Sequence, residues 1–163
     1  MHPDTQGLTR RQTIITIAAA CCCAGLPAEA MTPTVDQITD LSSTAATDMF
    51  RFAPDLLRVE PGTALEFTNS RGDHTVHSVP QLWPEGVVPV KISHKPSALV
   101  TLPVDGLYGF RCRRHGKYGM VMLAIAGAGE DLSTIEARVN AMRAGAREKA
   151  RFRELIARYR AES

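Results

Sequence analysis

The sequence predicts a mainly β fold, a β-sandwich followed by two C-terminal α-helices. From about residue 47 to residue 126, apolar and polar residues alternate with the strand period of two, and turn residues interrupt the pattern at short intervals. Several short strands separated by turns are typical of a sandwich of two sheets. After residues 127–129, which read Gly-Ala-Gly, apolar residues recur at helical spacing instead.

The β region divides at its turn residues into short segments. Breaks are predicted at residues 54–55 and 61–62, and a tight turn at residues 105–106. Residues 80–96 contain four prolines and are predicted to form a rigid excursion. The strands are predicted around these apolar positions: Phe50 and Phe52; Leu57 and Val59; Leu65 and Phe67; residues 98–104; Tyr108, Phe110 and Cys112 on one face; and residues 121–126.

Two amphipathic helices are predicted in residues 131–163. Ser133 and Glu136 have the spacing of a capping box, and Gly145 interrupts the helical pattern. We expect residues 131–163 to be a helical appendage packed on a sandwich domain of residues 31–130. The expected core-facing residues are Ile135, Val139, Met142, Phe152, Leu155, Ile156 and Tyr159.

Residues 1–30 have the features of an export signal peptide. Arg10 and Arg11 open a basic region, an apolar run follows at residues 13–25, and a small-x-small cleavage site ends at Ala30. The paired arginines favour the twin-arginine route. We therefore expect a periplasmic protein whose signal peptide is cleaved near Ala30.

The cysteines of this sequence indicate metal ligation. Cys21, Cys22 and Cys23 lie within the apolar run and leave with the signal peptide. Lipoprotein cleavage before Cys21 is an alternative, but Ala18 stands where that signal prefers leucine. The exported domain then retains Cys112 alone, which cannot form an internal disulfide, and a metal-bound thiolate explains such a residue.

A short motif suggests which metal is bound. Cys112, His115 and Met120 have C-x2-H-x4-M spacing, and thiolate, imidazole and thioether donors suit a type 1 copper site with two histidines. His74 and His77 are both candidates for the second imidazole. Taken singly, each of these residues could be a core or surface residue, and structural zinc sites usually need more cysteines.

The sequence resembles a known family, the pseudoazurins, which are small blue-copper proteins of the cupredoxin superfamily. The likeness runs from about Met49 to the C-terminus. The motifs that carry it are residues 50–54, 61–62, 74–76, 83–86, 106–108, 112–115 and 119–120. It implies a cupredoxin-like Greek-key β-sandwich in which His74, Cys112, His115 and Met120 bind one type 1 copper ion. It also implies that His77 is not a ligand.

The resemblance further implies a periplasmic one-electron carrier, not an enzyme, that serves a reductase such as nitrite reductase or takes electrons from a cytochrome. His115 should form the electron port within a small apolar patch. Basic residues near it suggest steering toward an acidic partner, whereas alternating charges in the tail argue against nucleic-acid binding. A monomer with no membrane contact is expected. The basic residues are Lys91, Lys95, Arg111, Arg113, Arg114 and Lys117, and the patch comprises Pro80, Gly116, Tyr118 and Gly119.

Three residues depart from the family pattern. Arg114 replaces the proline before the second ligand histidine, Asp73 replaces a glycine, and Thr75 replaces an asparagine that pins two loops together. We expect the Thr75 hydroxyl to substitute in part. Two other functions are considered: a periplasmic copper carrier or chaperone, and an enzyme with Cys112 as nucleophile. Neither a Met-rich cluster nor an oxyanion motif supports them.

Overall fold

Nine short strands form two sheets, as described by a computed structural model for residues 31–69, 74–128 and 132–162. The predicted signal peptide, residues 1–30, lies outside the described residues. In the four-stranded sheet the order is β2-β1-β4-β7, and in the five-stranded sheet it is β3-β9-β8-β5-β6. The strands are β1 (Thr34–Thr39), β2 (Phe50–Ala53), β3 (Leu56–Val59), β4 (Ala64–Thr68), β5 (Thr75–Ser78), β6 (Lys91–Ser93), β7 (Ser97–Thr101), β8 (Gly106–Arg111) and β9 (Val121–Ala126).

Most neighbouring strands are antiparallel, but two pairs are parallel. Strand β1 runs parallel to β4, and β3 runs parallel to β9. Parallel neighbours require a crossover rather than a hairpin, and here the chain passes from one sheet to the other between the partners, for example from β2 to β3. The mainly β sandwich with two C-terminal helices predicted from the sequence is confirmed.

Aromatic side chains fill the space between the two sheets. Phe67 from the four-stranded sheet packs against both its neighbour Phe52 and Phe110 from β8. Trp83 lies edge-on to Phe110 and Tyr108. These side chains alternate with outward residues along their strands, as the strand period requires. The interior behind residue 112 is therefore filled by closely packed aromatic rings.

The other face of the five-stranded sheet is covered by helices α2 (Leu132–Ala141) and α3 (Ala146–Ala161). Strand β9 is buried on both faces, because Met122 and Ala124 face the inner core while Leu123 and Ile125 face the helices. A strand buried on both faces has a continuous apolar sequence. The predicted helical core residues Ile135, Val139, Met142, Phe152, Leu155, Ile156 and Tyr159 are all buried there.

Four local features differ from the predictions. Strand β1 was not predicted, nor was the one-turn helix α1 (Ala46–Met49). The excursion of residues 80–96 contains a 3₁₀ turn (Pro80–Leu82) and strand β6. Helix α2 is described from Leu132, so the backbone of Ser133 is helical instead of preceding the helix as the predicted capping box requires. In the described part of the chain, no helix is both long and apolar enough to cross a bilayer.

Candidate metal centre

Three of the four predicted ligand residues converge at one end of the sandwich. Cys112 Sγ lies 3.9 Å from His74 Nδ1 and 3.7 Å from His115 Nδ1, and the two Nδ1 atoms are 3.0 Å apart. Cys112 and His74 are 0% and 1% exposed, whereas His115 is partly exposed. One sulfur and two imidazole nitrogens thus converge on one small region. Two of the three side chains that surround it are buried.

The loop between β8 and β9, residues 112–120, provides two of these side chains. Cys112 follows β8 directly, and Met120 directly precedes β9. The backbone N–H of Cys112 donates to the Met120 carbonyl at 3.1 Å, and the N–H of Met120 donates to the His115 carbonyl at 3.2 Å. Gly119 has φ +101°, a left-handed conformation that glycine adopts readily. These bonds fix the loop in a compact shape.

Met120, the fourth predicted ligand, lies in the inner core beside Cys112. Its side chain is 0% exposed and belongs to the same apolar cluster as the cysteine. Its backbone bonds to Cys112 and His115 place it at the same end of the sandwich. A buried thioether side chain at this end of the sandwich is of the soft donor type that copper sites use.

Thr75 joins the two segments that carry the ligands. Its hydroxyl accepts a hydrogen bond from the backbone N–H of Arg113 at 2.9 Å and lies 3.7 Å from Cys112 Sγ, toward which it donates. The hydroxyl therefore makes a link between the loops, as expected for a partial substitute for asparagine. Asp73, the neighbouring departure from the family pattern, lies outside the described residues.

Two residues that the sequence analysis missed hold the imidazole rings. Thr39, at the end of β1, places its hydroxyl 2.8 Å from His74 Nε2. Phe50 stacks on the His115 ring with centroids 3.9 Å apart and an interplanar angle of 2°. Thr39 and Phe50 are register partners in the antiparallel β1–β2 pair. One cross-strand pair therefore orients both rings and leaves both Nδ1 atoms directed toward Cys112.

The other two histidines in the described part of the chain, His77 and His94, lie outside this group. His77 is opposite Arg111 and Lys91 in the sheet, and it is partly buried. Burial lowers the pKa of His77, and the positive charges of Arg113, Arg111 and Lys91 lower it further. His94 is exposed. The structure thus brings His74, and not His77, to Cys112 and His115.

The donor set fits a copper ion. The three donor atoms of His74, Cys112 and His115 all lie within 4.8 Å of one another, so one metal ion would be within reach of all three. The two sulfur–nitrogen distances here are 3.9 Å and 3.7 Å. A soft thiolate, two imidazoles and a thioether suit copper better than a harder cation.

Five of the six predicted basic residues lie at the surface. Arg113, Arg114 and Lys117 from the ligand loop are exposed, as are Lys91 and Lys95. Arg111 differs, because it is only 30% exposed and forms an ion pair with Glu148. Its charge is therefore directed into the protein.

Comparison with known proteins identifies the family. The sequence profile of copper binding proteins of the plastocyanin/azurin family matches residues 39–126. The chain is 34% identical over 83 residues to a pseudoazurin of Methylorubrum extorquens, covering 51% of this chain and 56% of the relative. It is 36% identical over 76 residues to a pseudoazurin of Paracoccus pantotrophus, covering 47% and 52%. The chain thus spans about half the length of the curated relatives it matches.

The fold is also similar to that of a solved pseudoazurin. The native pseudoazurin of Hyphomicrobium denitrificans superposes with a TM-score of 0.64 and 27% identity, covering 77% of this chain and 96% of that one. Because the family profile spans more than half of this chain and includes every residue of the centre described above, the chain belongs to the copper-binding plastocyanin/azurin family.

Proposed function

We propose that this protein is a periplasmic one-electron carrier whose type 1 copper is held by His74, Cys112, His115 and Met120. The convergence of Cys112 Sγ with two imidazole nitrogens carries the proposal. Bound copper supplies one-electron exchange between its Cu(II) and Cu(I) states. Residues 1–30 are the export signal in this proposal, and the protein itself performs no catalytic reaction.

The ligand side chains favour a carrier of electrons over a carrier of copper. Thr39, Thr75 and Phe50 each fix a ligand by a hydrogen bond or a ring stack. A fixed set of ligands changes little between two oxidation states, which keeps electron transfer fast. Exchange of the metal itself would require buried ligands to open, because Cys112 and Met120 are fully buried.

His115 is the route for the electron in this proposal. It is the ligand with a partly exposed side chain, and Phe50 and Tyr118 lie beside its ring, with centroids 3.9 Å and 6.5 Å away. Gly116 and Gly119, which we expected in the surrounding patch, are buried, whereas Pro80 is exposed. A small surface with an aromatic edge suits the brief, small contacts of redox encounters.

The exposed basic residues next to this surface suggest an acidic partner. Arg113 and Lys117 flank His115 in the loop, and Lys91 and Lys95 belong to the neighbouring excursion. Such charges raise the association rate with an acidic surface by roughly 10- to 1,000-fold. A periplasmic reductase such as copper nitrite reductase is the proposed acceptor, and a cytochrome is the proposed donor.

The absorption spectrum of the copper-loaded protein tests the proposed function. The oxidised protein should show an intense visible band from the thiolate–copper bond, and one electron equivalent from ascorbate should remove that band without releasing the metal. A colourless Cu(I) complex that transfers copper readily to a chelator would support the copper carrier instead. Quantitative thiol labelling without tight copper binding would point to a nucleophilic cysteine.

Reversing the basic charges tests the proposed partner. Arg113→Glu together with Lys117→Glu should lower the rate of electron transfer to purified copper nitrite reductase about tenfold or more at low salt. The difference should shrink at high salt because screening weakens steering. Stopped-flow bleaching or recovery of the visible band measures the rate. The matched control is Arg153→Glu with Arg160→Glu, which makes the same charge change at two exposed residues on the later turns of α3. Equal rates for the two double variants would contradict the proposed steering.

A further inference from the structure

A buried ion pair joins the C-terminal helix to the ligand loop. Glu148, in the first turn of α3, is 5% exposed, and it is the one buried acidic residue in the described part of the chain. Arg111 Nη1 donates to Glu148 Oε1 at 3.2 Å. Arg111 is the last residue of β8 and directly precedes Cys112. The pair therefore connects helix α3 to the strand end that carries the thiolate.

The second carboxylate oxygen of Glu148 lies against the loop itself. A Cβ atom placed on Gly116 would be 3.2 Å from Glu148 Oε2 and 3.4 Å from its Cδ. Gly116 directly follows His115, and its N–H donates to the Cys112 carbonyl at 2.7 Å. One carboxylate thus meets the residue before Cys112 through an ion pair and the residue after His115 by direct packing.

Helix α3 is itself anchored firmly enough to act as a support. Phe152 and Leu155 are buried against the five-stranded sheet. Asp55, just before β3, accepts hydrogen bonds from both Arg151 and Arg158 on the helix. These contacts fix the position of the first turn of α3 relative to the sheet, and hence the position of Glu148.

We propose that Glu148, through Arg111 and Gly116, is a positioning residue for the ligand loop. It holds residues 112–120 in the conformation that directs Cys112 and His115 at His74 before any metal arrives. The inference depends on the proposed function, since it assigns a role toward the same copper centre. A buried carboxylate is retained only with a partner, so the ion pair keeps Glu148 in place and Glu148 keeps the loop in place.

Two variants perturb this contact from opposite sides. Glu148→Gln keeps the side-chain shape but removes the charge that pairs with Arg111. Gly116→Ala leaves Glu148 intact but adds a methyl group at 3.2 Å from its oxygen. The matched control is Glu136→Gln, which removes the exposed ion pair with Arg160 between α2 and α3.

Hydrogen exchange of the apoprotein is the first measurement. Glu148→Gln removes the negative charge from the contact and Gly116→Ala pushes against it, so both should weaken it and speed exchange of the amides of residues 115–120 about tenfold or more. Both loop-facing variants should show this increase, whereas Glu136→Gln should not. A double variant tests the packing directly. Amide exchange in Gly116→Ala with Glu148→Asp should be slower than the summed effects of Gly116→Ala alone and Glu148→Asp alone predict, because the shorter carboxylate leaves room for the methyl group.

Copper release to a chelator, followed by the visible band, is the second measurement. Release should be about tenfold faster in Glu148→Gln and Gly116→Ala than in Glu136→Gln. Wild-type rates of exchange and release in both variants, with a normal visible band, would overturn the positioning role and leave the proposed function intact. If both variants exchanged faster but the wild-type protein never formed the visible band with copper, the proposed function would be overturned. The contact between Glu148 and the loop would still be supported.

Discussion

Replacement of Cys112 by serine is expected to abolish the intense visible absorption of the copper-loaded protein. The band requires a thiolate bound to copper, and the described residues offer no second cysteine that could take its place. A serine hydroxyl is a harder and much less acidic donor, so it does not form the same bond. Titration with Cu(II), followed by visible absorption and by electron paramagnetic resonance, measures the loss.

The structure also provides a close control for this prediction. His77→Ala removes a metal-binding type of side chain from the same region, but His77 faces Arg111 and Lys91 rather than Cys112. The His77 variant should keep the visible band, whereas His74→Ala should lose it. Retention of the band in Cys112→Ser would show that the ligand assignment is wrong.

The spacing of the loop residues made this centre predictable from the sequence. Cys112, His115 and Met120 lie within nine consecutive positions, so one loop brings them together whatever the rest of the fold does. The strand period alone could not decide whether His74 or His77 provides the second imidazole. Val76 in β5 and Val79 just after it are both buried, but in different apolar clusters, so an inward side chain was consistent with the sequence at either parity.

The residues that orient the imidazoles could not be predicted from the sequence. Thr39 and Phe50 act through their register in the β1–β2 pair, which is a property of the tertiary structure. Strand β1 itself was missed because Gln37 is buried at a position where alternation would place an apolar residue. Gln37 is accommodated there because its Nε2 donates to the Thr68 carbonyl at 3.3 Å.

The strands with regular alternation were predicted correctly for a simple physical reason. A residue such as Phe67 or Phe110 gains free energy by leaving water, and a strand offers every second position to the core. The same reasoning located the apolar stripes of both helices. It did not predict Glu148, because a buried glutamate is recognised only when its partner Arg111 and the loop packed against it are seen together.

Truncation of Phe152 to alanine should produce the largest loss of stability of any single change in the helical layer. Phe152 is fully buried between α3 and the outer face of β9, and removal of such a ring from a core costs about 3–5 kcal/mol. That cost is a large fraction of the total stability of a domain of this size, which is typically about 5–15 kcal/mol. Urea unfolding of the apoprotein, followed by tryptophan fluorescence of Trp83, measures the change in midpoint.

The matched control for the Phe152 variant lies on the same helix. Arg147→Ala removes an exposed side chain and replaces it with a residue of similar helix propensity, so the midpoint should change little. If Phe152→Ala lowered the urea midpoint as little as Arg147→Ala does, α3 would contribute little to the stability of the sandwich. In that case the helix could not hold Glu148 against Gly116 either, because the support for that contact is the packing of Phe152 and Leu155 on the sheet.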